Sequence, residues 1–233
     1  LGNIGLEVYK NIKKNSSDIQ KKTGFKLNVV KVSAKNINKK RGISFSKSVL
    51  QKNPFEITKD PKIDIIVELI GGSDGVAKRV VFQSIKKNKH VVTANKSLIS
   101  KHGDALSVLS EKHGVNLLFE AAVGGGIPII RSIKQGLIAN KLNHIYGILN
   151  GTTNFILTEM EKRNENFQTI LKDAQKLGYA ESNPTADVDG FDAADKISIL
   201  SSIGFGSKII NKGFLIEGIR NIEIEDIKFA KSL

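Results

Sequence analysis

Short apolar segments alternate with longer amphipathic ones in the first half of the chain, and this alternation constrains the fold more than any other feature. The short segments, of four to eight residues, are rich in β-branched side chains, as buried strands of a parallel sheet are. They span 27–32, 63–70, 90–93 and 115–120. Segments with helical spacing lie before and between them, at 5–14, 76–88 and 103–113. This order predicts an α/β fold with a Rossmann-like, doubly wound parallel sheet.

The composition changes around residues 124–128, beyond which helical spacing dominates. Helices are predicted at 129–139, 155–163, 167–177 and 193–202, a strand at 143–149 and an amphipathic tail at 226–233. We therefore predict two domains, 1–128 with the Rossmann-like sheet and 129–233 with a second α/β (α+β) fold. Because residue 1 is Leu rather than Met, we expect the natural start to be missing. Because the amphipathic tail at 226–233 ends without an obvious stop, we expect the C-terminus to be cut as well.

Composition excludes several classes of protein. The chain has no Cys, which rules out a disulfide scaffold, a thiolate metal site and a Cys nucleophile. No stretch reaches the roughly 18 to 20 uninterrupted apolar residues of a membrane helix, since even 63–70 contains Asp64 and Glu68. We therefore predict no membrane span, and cytoplasmic metabolism fits the lack of Cys.

Positive charge is concentrated near the start of the chain. The net charge is +13, and residues 1–60 hold 14 basic against 4 acidic side chains. A nucleic-acid-binding module is one interpretation, but the chain has no Trp, only five of its basic residues are Arg, and aromatics do not interleave with the lysines. We favour a lysine-solvated surface with a local site for a phosphorylated small molecule, and we expect no nucleic-acid partner.

The chain opens with part of a dinucleotide-binding fingerprint. Gly2, Asn3, Ile4 and Gly5 match the last part of G-x-G-x-x-G, and a helix pattern follows them. Glycine lets the backbone approach a pyrophosphate at a helix N-terminus. Where an acid would bind the ribose 2′-hydroxyl of NAD, the predicted strand at 27–32 is followed by Lys35 and no carboxylate, which favours NADP. A Lys-rich surface is the alternative explanation of these lysines.

Two further strands end in residues suited to a ligand site. One predicted strand runs into Gly71 and Gly72, and the next ends at Thr93 and is followed by Asn95 and Lys96. Ligands bind at the carboxyl ends of strands in such sheets. A lysine there can hold a carboxylate or stabilise charge on a carbonyl oxygen, and a solvated lysine is the alternative.

Glu120 ends the fourth predicted strand and precedes a glycine run at 124–126. A carboxylate and the backbone carbonyls of such a bend can coordinate a hard cation. A hinge between the two domains explains the same glycines equally well.

The densest cluster of charged side chains spans 181–196, with five carboxylates and one lysine. A calcium loop beginning at Asp187 fails, because its sixth and twelfth residues are Asp192 and Ser198 instead of glycine and glutamate. If Asp192 opens a helix, Lys196 lies on the same face, four residues on. Such a set suits a substrate with an ammonium group and a reacting oxygen, and a solvated acidic helix start is the alternative.

Six motifs, taken together and in their order along the chain, resemble those of homoserine dehydrogenases over nearly the whole chain. They read LGNIG at 1–5, ELIGG at 68–72, TANK at 93–96, FEAAVGGGIP at 119–128, ILNGTTNFIL at 148–157 and GYAESNPTADVDGFDAADK at 178–196. The last two motifs are specific to that family, unlike the glycine fingerprint. The resemblance implies an NAD(P)-dependent enzyme that interconverts L-aspartate 4-semialdehyde and L-homoserine in threonine, methionine and isoleucine biosynthesis.

The resemblance also implies roles for residues and domains. Lys196 matches the proton donor to the carbonyl oxygen, and Lys96 matches a second lysine beside substrate and nicotinamide. The matching substrate-binding residues are Glu181, Asp187, Asp192, Gly151 and Thr152. The matching sodium site is Glu120 with the backbone of Val123, Gly125 and Ile127. Residues 1–128 would bind NADP or NAD, and residues 129–233 would bind substrate, catalyse the reaction and form a homodimer.

The sequence departs from the family at both ends. Family members carry a first strand and first glycine ahead of the position of Leu1, and a C-terminal segment that completes the nucleotide domain. We therefore expect these 233 residues by themselves to be poorly active or poorly folded. Two alternatives remain open: another two-domain dehydrogenase acting on an amino-acid aldehyde or amine, and a basic nucleic-acid-binding module.

Overall fold

Two structural units make up the chain in its computed structural model, which describes residues 1–210 and 212–233. Unit 1 is Leu1–Gly126 and unit 2 is Ile127–Leu233. The predicted boundary, after residue 128, lies two residues beyond this division. Among the residues described, no helix combines the length and apolar character needed to cross a membrane.

Parallel strands form the sheets of unit 1. They are β1 (Val32–Ser33), β2 (Leu50–Gln51), β3 (Ile65–Glu68), β4 (His90–Thr93) and β5 (Leu117–Leu118). β1 pairs with β2, and the other three form a sheet in the order β3-β4-β5. Every pairing is parallel, with Glu68 opposite Thr93 where β3 and β4 end. The predicted parallel α/β fold is therefore confirmed.

Two predicted strands are longer than the observed ones. Of the segment 27–32 only Val32 is in a strand, and of 115–120 only Leu117 and Leu118 are. β2 was not predicted at all. A strand exists where a neighbouring backbone completes its hydrogen bonds, so its length depends on the partner as well as on its own apolar residues.

The helices of unit 1 are α1 (Asn3–Lys14), α2 (Ser16–Thr23), α3 (Pro54–Lys59), α4 (Val76–Lys86) and α5 (Lys96–Lys112). α1 and α4 match the predicted helices at 5–14 and 76–88, whereas α5 begins well before the predicted residue 103. Asn95 causes this earlier start, because its Oδ1 accepts a hydrogen bond from the N–H of Leu98 at 3.1 Å and caps the helix. The cap makes Lys96 the first residue of α5, three residues after β4 ends.

Apolar side chains of the sheet and of α4 pack in the core of unit 1. Ile63, Ile66 and Val80 are buried in one cluster. The amine of Lys89 is also buried, and it donates to the carbonyl oxygens of Asp60 and Ile63 at 2.6 and 2.5 Å. Because a buried ammonium needs acceptors, these bonds hold the turn that leads into β3.

Unit 2 is helical in the part of the chain that the structure describes. Its helices are α6 (Ile129–Arg131), α7 (Gly151–Arg163), α8 (Phe167–Leu177), α9 (Thr185–Val188), α10 (Phe191–Phe205) and α11 (Ile224–Ser232), with a π-helical turn at Ser132–Gly136 after α6. α8 begins and ends where helical spacing predicts. Ile156 and Met160 of α7 pack with Ile170 of α8 in the core.

The prediction of a strand at 143–149 is wrong, since these residues form neither helix nor strand. Tyr146 and Ile148 are 93% and 79% exposed. An apolar pattern marks a strand only where a sheet buries one face of it, and residues 127–210 and 212–233 contain no strand. The β component predicted for this domain is therefore not found among them.

Candidate active site

Lys196 and Asp192 form a largely buried ion pair on α10. They lie one helical turn apart, and Lys196 Nζ is 2.6 Å from Asp192 Oδ2. Nζ also donates to the carbonyl oxygen of Leu149 at 2.5 Å. The two side chains are only 18% and 7% exposed. The ammonium is therefore held between two acceptors in a place that little solvent reaches.

Asn150 joins two acids of the cluster. Its Nδ2 donates to Asp187 Oδ1 at 2.7 Å and to Asp192 Oδ2 at 2.8 Å. Its Oδ1 accepts from the N–H of Thr153 at 2.8 Å and caps α7. We did not predict this residue from the sequence. Its position at the start of the NGTT motif, where Asn is a favoured N-cap, is the signal that could have found it.

The first turn of α7 borders the acids. Thr152 Oγ1 donates to the carbonyl oxygen of Tyr179 at 2.8 Å and lies 3.4 Å from Asp187 Oδ2. Gly151 is exposed, and a Cβ added to it would meet open space. The structure thus brings Thr152 to Asp187 and leaves the backbone of Gly151 accessible.

Two other carboxylates of the 181–196 cluster are directed elsewhere. Glu181 is exposed, and its backbone carbonyl accepts from Gln175 Nε2 at 3.0 Å. Asp189 binds the guanidinium of Arg220, and this hydrogen bond raises the pKa of Arg220. Within the described residues, Glu181 is therefore outside the hydrogen-bonded network of Asp187 and Asp192.

Close backbone packing fixes the turn before α10. Gly190 has a φ of 85°, and a Cβ there would lie 3.0 Å from the carbonyl oxygen of Glu217. Nearby, the N–H of Ile219 donates to the carbonyl of Val188 at 2.8 Å. A side chain at position 190 would be both strained and crowded. The glycine therefore lets this turn pack closely and sets where α10 begins.

A second polar network lies where β3 and β4 end in unit 1. Glu68 is 1% exposed, and its Oε1 accepts from the N–H groups of Ile70 and Gly71 at 2.6 and 3.1 Å. Its Oε2 accepts from Thr93 Oγ1 at 2.6 Å. The buried carboxylate therefore ties the turn after β3 to the last residue of β4. Sequence reasoning missed this role, for which a carboxylate three residues before a Gly-Gly turn is the signal.

Asn95 completes this network. Its N–H donates to Thr93 Oγ1 at 3.0 Å, and its Nδ2 donates to the carbonyl oxygen of Gly72 at 2.8 Å. Gly71 and Gly72 both have positive φ, and neither has an atom within 4 Å of an added Cβ. The structure thus brings together four predicted residues at one sheet edge, with partly buried Lys96 next in the chain.

The glycine fingerprint forms the start of α1. Gly2 is the N-cap in an extended conformation, and Asn3 and Ile4 are exposed in the first turn. A Cβ at Gly5 would meet Leu69 Cδ1 at 3.8 Å, an ordinary contact. The exposed first turn fits an anionic ligand, whereas packing at Gly5 does not by itself require glycine.

A guanidinium organises the turn after β1. Arg41 donates to the carbonyl oxygens of Leu1, Lys39 and Asn36 at 3.2, 2.7 and 2.6 Å. Lys35 is exposed in this turn, and residues 34–41 contain no carboxylate. The turn is therefore a basic surface that contacts the residue before the fingerprint.

The predicted sodium ligands lie at the end of unit 1 and the start of unit 2. Glu120 opens a 3-10 helical turn, Val123 is buried, and Gly125 and Ile127 are exposed. Residues 1–210 and 212–233 contain no group of three or more His, Asp or Glu side chains able to hold a metal. One carboxylate with backbone carbonyls is an oxygen-only donor set, which fits a hard cation in its chemistry.

Two family models match almost the whole chain. The model described as homoserine dehydrogenase, NAD binding domain, matches residues 1–120, and the model described as homoserine dehydrogenase matches residues 128–233. The chain belongs to the homoserine dehydrogenase family. The resemblance predicted from the motifs is thereby confirmed.

Other homoserine dehydrogenases are similar to the chain along its length. That of Bacillus subtilis (strain 168) is 39% identical over 100% of this chain and 54% of its own. A crystal structure of a homoserine dehydrogenase from Thiobacillus denitrificans superposes with a TM-score of 0.94 at 42% identity, over 100% of this chain and 53% of that one. The chain spans about half the length of these homoserine dehydrogenases.

A more distant relative was solved with a cofactor. The structure of a hyperthermophilic archaeal homoserine dehydrogenase in complex with NADPH has a TM-score of 0.66 at 26% identity, over 91% of this chain and 60% of that one. The family's first domain is therefore a nicotinamide-nucleotide-binding domain, as the matched model states.

Proposed function

We propose that the chain carries the substrate site and part of the cofactor site of a homoserine dehydrogenase. This NAD(P)-dependent oxidoreductase would interconvert L-aspartate 4-semialdehyde and L-homoserine. The observation that carries the proposal is the buried Asp192–Lys196 pair, with Asp187 bound to the same amide of Asn150, in a chain of this family. An ammonium beside ordered carboxylates suits a substrate that has both an amino group and a reacting oxygen.

Lys196 is the proposed proton donor during reduction. When bound, the nicotinamide cofactor supplies the hydride that reaches the aldehyde carbon. An Nζ proton of Lys196 then passes to the carbonyl oxygen, and its positive charge stabilises the alkoxide as it forms. In the oxidation of homoserine the alcohol proton returns to Nζ. Asp192 and the Leu149 carbonyl hold the ammonium in place for both directions.

The remaining substrate contacts follow from the same proposal. The Asp187 carboxylate would bind the substrate ammonium, with Thr152 and the accessible backbone of Gly151 beside it. Glu181 and Lys96 keep their proposed roles, as substrate-binding acid and second lysine, from the family resemblance alone.

The cofactor is proposed to be NADP, with NAD as the alternative. The exposed first turn of α1 suits the pyrophosphate, since helix N-termini bind anions. The exposed Lys35, in a turn without carboxylates, suits a 2′-phosphate. The NADPH complex of the archaeal relative supports the same choice.

Four further parts of the proposal rest on the family resemblance. They are a sodium ion at Glu120 and the backbone of Val123, Gly125 and Ile127, a homodimer formed through the second domain, a cytoplasmic location, and a place in threonine, methionine and isoleucine biosynthesis.

Homoserine-dependent reduction of NADP and of NAD, followed by near-ultraviolet absorbance, tests the proposal in the full-length protein. Lys196→Ala is expected to lower turnover by about 100-fold or more, the usual size of a lost proton-transfer group, with NADP binding largely intact. Lys176→Ala, exposed near the end of α8, is the matched control and should stay near wild type. A folded protein that ignores homoserine, or full turnover by Lys196→Ala, would overturn the proposal.

A further inference from the structure

We propose that Asn150 is a positioning residue for the reaction: its amide holds Asp187 and Asp192 in one arrangement and, through Asp192, fixes Lys196. This inference rests on the proposed function, because it assigns a task within the same site. The place of a neutral amide between two carboxylates can also be tested without measuring turnover.

One amide group serves both acids. The Nδ2 of Asn150 has two hydrogens, and it lies 2.7 Å from Asp187 Oδ1 and 2.8 Å from Asp192 Oδ2. Two carboxylates brought together, of which Asp192 is buried and Asp187 partly buried, repel each other. A neutral double donor between them offsets that repulsion without adding a charge. Both acids can then accept hydrogen bonds at the same time, Asp192 from Lys196 and Asp187 from the substrate ammonium.

The orientation of this amide is fixed from its other end. Asn150 Oδ1 accepts from the N–H of Thr153 at 2.8 Å and from Thr153 Oγ1 at 3.1 Å. The N–H at the start of α7 can only donate, so the oxygen of the amide must face it. The nitrogen therefore faces the two acids. Asn150 is 7% exposed, so water does not readily replace these bonds.

The same short segment also positions Lys196. Asp192 Oδ2, which accepts from Asn150, accepts from Lys196 Nζ as well. The other acceptor of Nζ is the carbonyl of Leu149, the residue before Asn150. These contacts use two of the three ammonium hydrogens. The third is the one that the substrate oxygen would meet, and its direction depends on where residues 149 and 150 hold the other two.

A second asparagine separates positioning from helix capping. Asn166 caps α8 as Asn150 caps α7, with Oδ1 accepting from the N–H and Oγ1 of Thr169 at 3.0 and 3.1 Å. Asp is as good an N-cap as Asn. Asn150→Asp and Asn166→Asp therefore keep their caps, but only the first replaces an amide donor with a carboxylate between two other carboxylates.

Steady-state kinetics of homoserine oxidation over a pH series, in the full-length protein, measure the effect. At neutral pH Asn150→Asp is expected to lower kcat/KM for homoserine by about 100-fold, the scale of a misplaced catalytic group, while NADPH affinity measured by fluorescence stays unchanged. The deficit relative to wild type should shrink as the pH falls, because a protonated Asp regains a donor. Asn166→Asp should stay within about twofold of wild type at every pH.

Thermal melting gives a readout that needs no activity. The two neighbouring carboxylates, Asp187 and Asp192, should raise the folded pKa of the new acid above its unfolded value, so the destabilisation grows as the pH rises. The Tm of Asn150→Asp should therefore fall further below that of Asn166→Asp at pH 8 than at pH 5. If Asn150→Asp is too unstable to assay, Asn150→Ser keeps a cap oxygen without adding charge, and we expect it to lose about tenfold in kcat.

The outcomes separate the two proposals. An inactive wild type overturns the proposed function, and the melting comparison still tests the place of the amide between the acids. An active wild type whose Asn150→Asp variant keeps its kcat/KM and pH profile overturns the positioning role. The positioning role is also overturned if the difference in Tm between Asn150→Asp and Asn166→Asp is the same at pH 5 and pH 8.

Discussion

Asp192 and Asp189 are three positions apart, yet the structure gives them different surroundings. Asp192 is buried and accepts from Lys196 and Asn150, whereas Asp189 is partly exposed and bound to Arg220. Removing one partner of a buried pair leaves an uncompensated charge, while an exposed pair contributes little. The ion pair of Asp192 is therefore the one whose loss should cost more stability, although both acids belong to the same cluster of five carboxylates.

Cofactor choice is tested at Lys35. Its exposed ammonium follows β1, where the 2′-phosphate of NADP would lie. Lys35→Ala is expected to weaken NADP binding about tenfold, within the range for a lost charged contact, and to leave NAD affinity unchanged. Fluorescence titration with both reduced cofactors measures this. Lys26→Ala, exposed in the same Lys-rich region but ahead of β1, is the control. Equal losses for the two cofactors would contradict the 2′-phosphate assignment.

At the scale of elements, the turn after β3 and the end of β4 behave as one hydrogen-bonded unit through Glu68. Thr93 Oγ1 accepts from the N–H of Asn95 and donates to Glu68, so each polar atom has a partner. Such a network is strong when complete and costly when one member cannot pair. This network explains how the ends of β3 and β4 hold the turn at Gly71 and Gly72 in one shape.

Glu68→Gln is expected to disturb this unit. If the Gln amide nitrogen faces Thr93, the hydroxyl proton of Thr93 has no acceptor. If the amide nitrogen faces the turn instead, the N–H groups of Ile70 and Gly71 lose their acceptor. We expect a loss of about 1–3 kcal/mol in the free energy of unfolding, measured by urea denaturation, with weaker NADPH binding. Glu56→Gln, exposed on α3, should change neither quantity. Wild-type stability and affinity in Glu68→Gln would refute the role of this network.

An ion-pair cluster joins the start of α4 to α5. Asp74 Oδ2 accepts from Lys101 Nζ at 2.6 Å, and its Oδ1 lies 3.2 Å from His102 Nε2 and 3.5 Å from Lys78 Nζ. Hydrogen bonds from Lys101, Ser73 and His102, in that order of size, hold the pKa of the Asp74 carboxyl well below its usual value. Because the folded pKa is depressed, this contribution to stability is present above the unfolded pKa and is lost as the pH falls toward the folded one.

The melting temperature of Asp74→Asn over a pH series tests whether this contribution to stability is lost in acid. The variant should melt below wild type at neutral pH, and the gap between their Tm values should narrow as the pH falls below about 4. Asp18→Asn, exposed on α2, controls for the loss of one negative charge. A gap that widens in acid would show that the ionised Asp74 does not stabilise the fold.

At the scale of the whole molecule, charge is divided along the chain in a way that the proposed function explains. The basic excess lies in residues 1–60, within the unit that matches a NAD binding domain, and the acidic cluster lies at 181–196 in the other unit. Positive charge suits a cofactor that carries phosphates, and carboxylates suit a substrate that carries an ammonium. The proposed function therefore gives both charge clusters a ligand of matching chemistry.

The sequence by itself determined the features that depend on neighbours in the chain. The apolar run of β4 and the helical spacing of α8 predict their observed bounds, because a strand or helix is specified by which of its own faces is buried. The motif at 178–196 also identified Asp187, Asp192 and Lys196 as a candidate set, since an i,i+4 pair on a helix needs only local geometry.

Tertiary structure decided what depends on distant partners. The short β2, the irregular segment at 143–149 and the early end of β5 reflect which backbones lie side by side, and a local pattern cannot specify that. Asn150 meets acids 37 and 42 residues away, and Glu68 meets a hydroxyl 25 residues away. A buried polar group must find its partner wherever the fold provides one, so the partners of these two side chains became visible only in the folded chain.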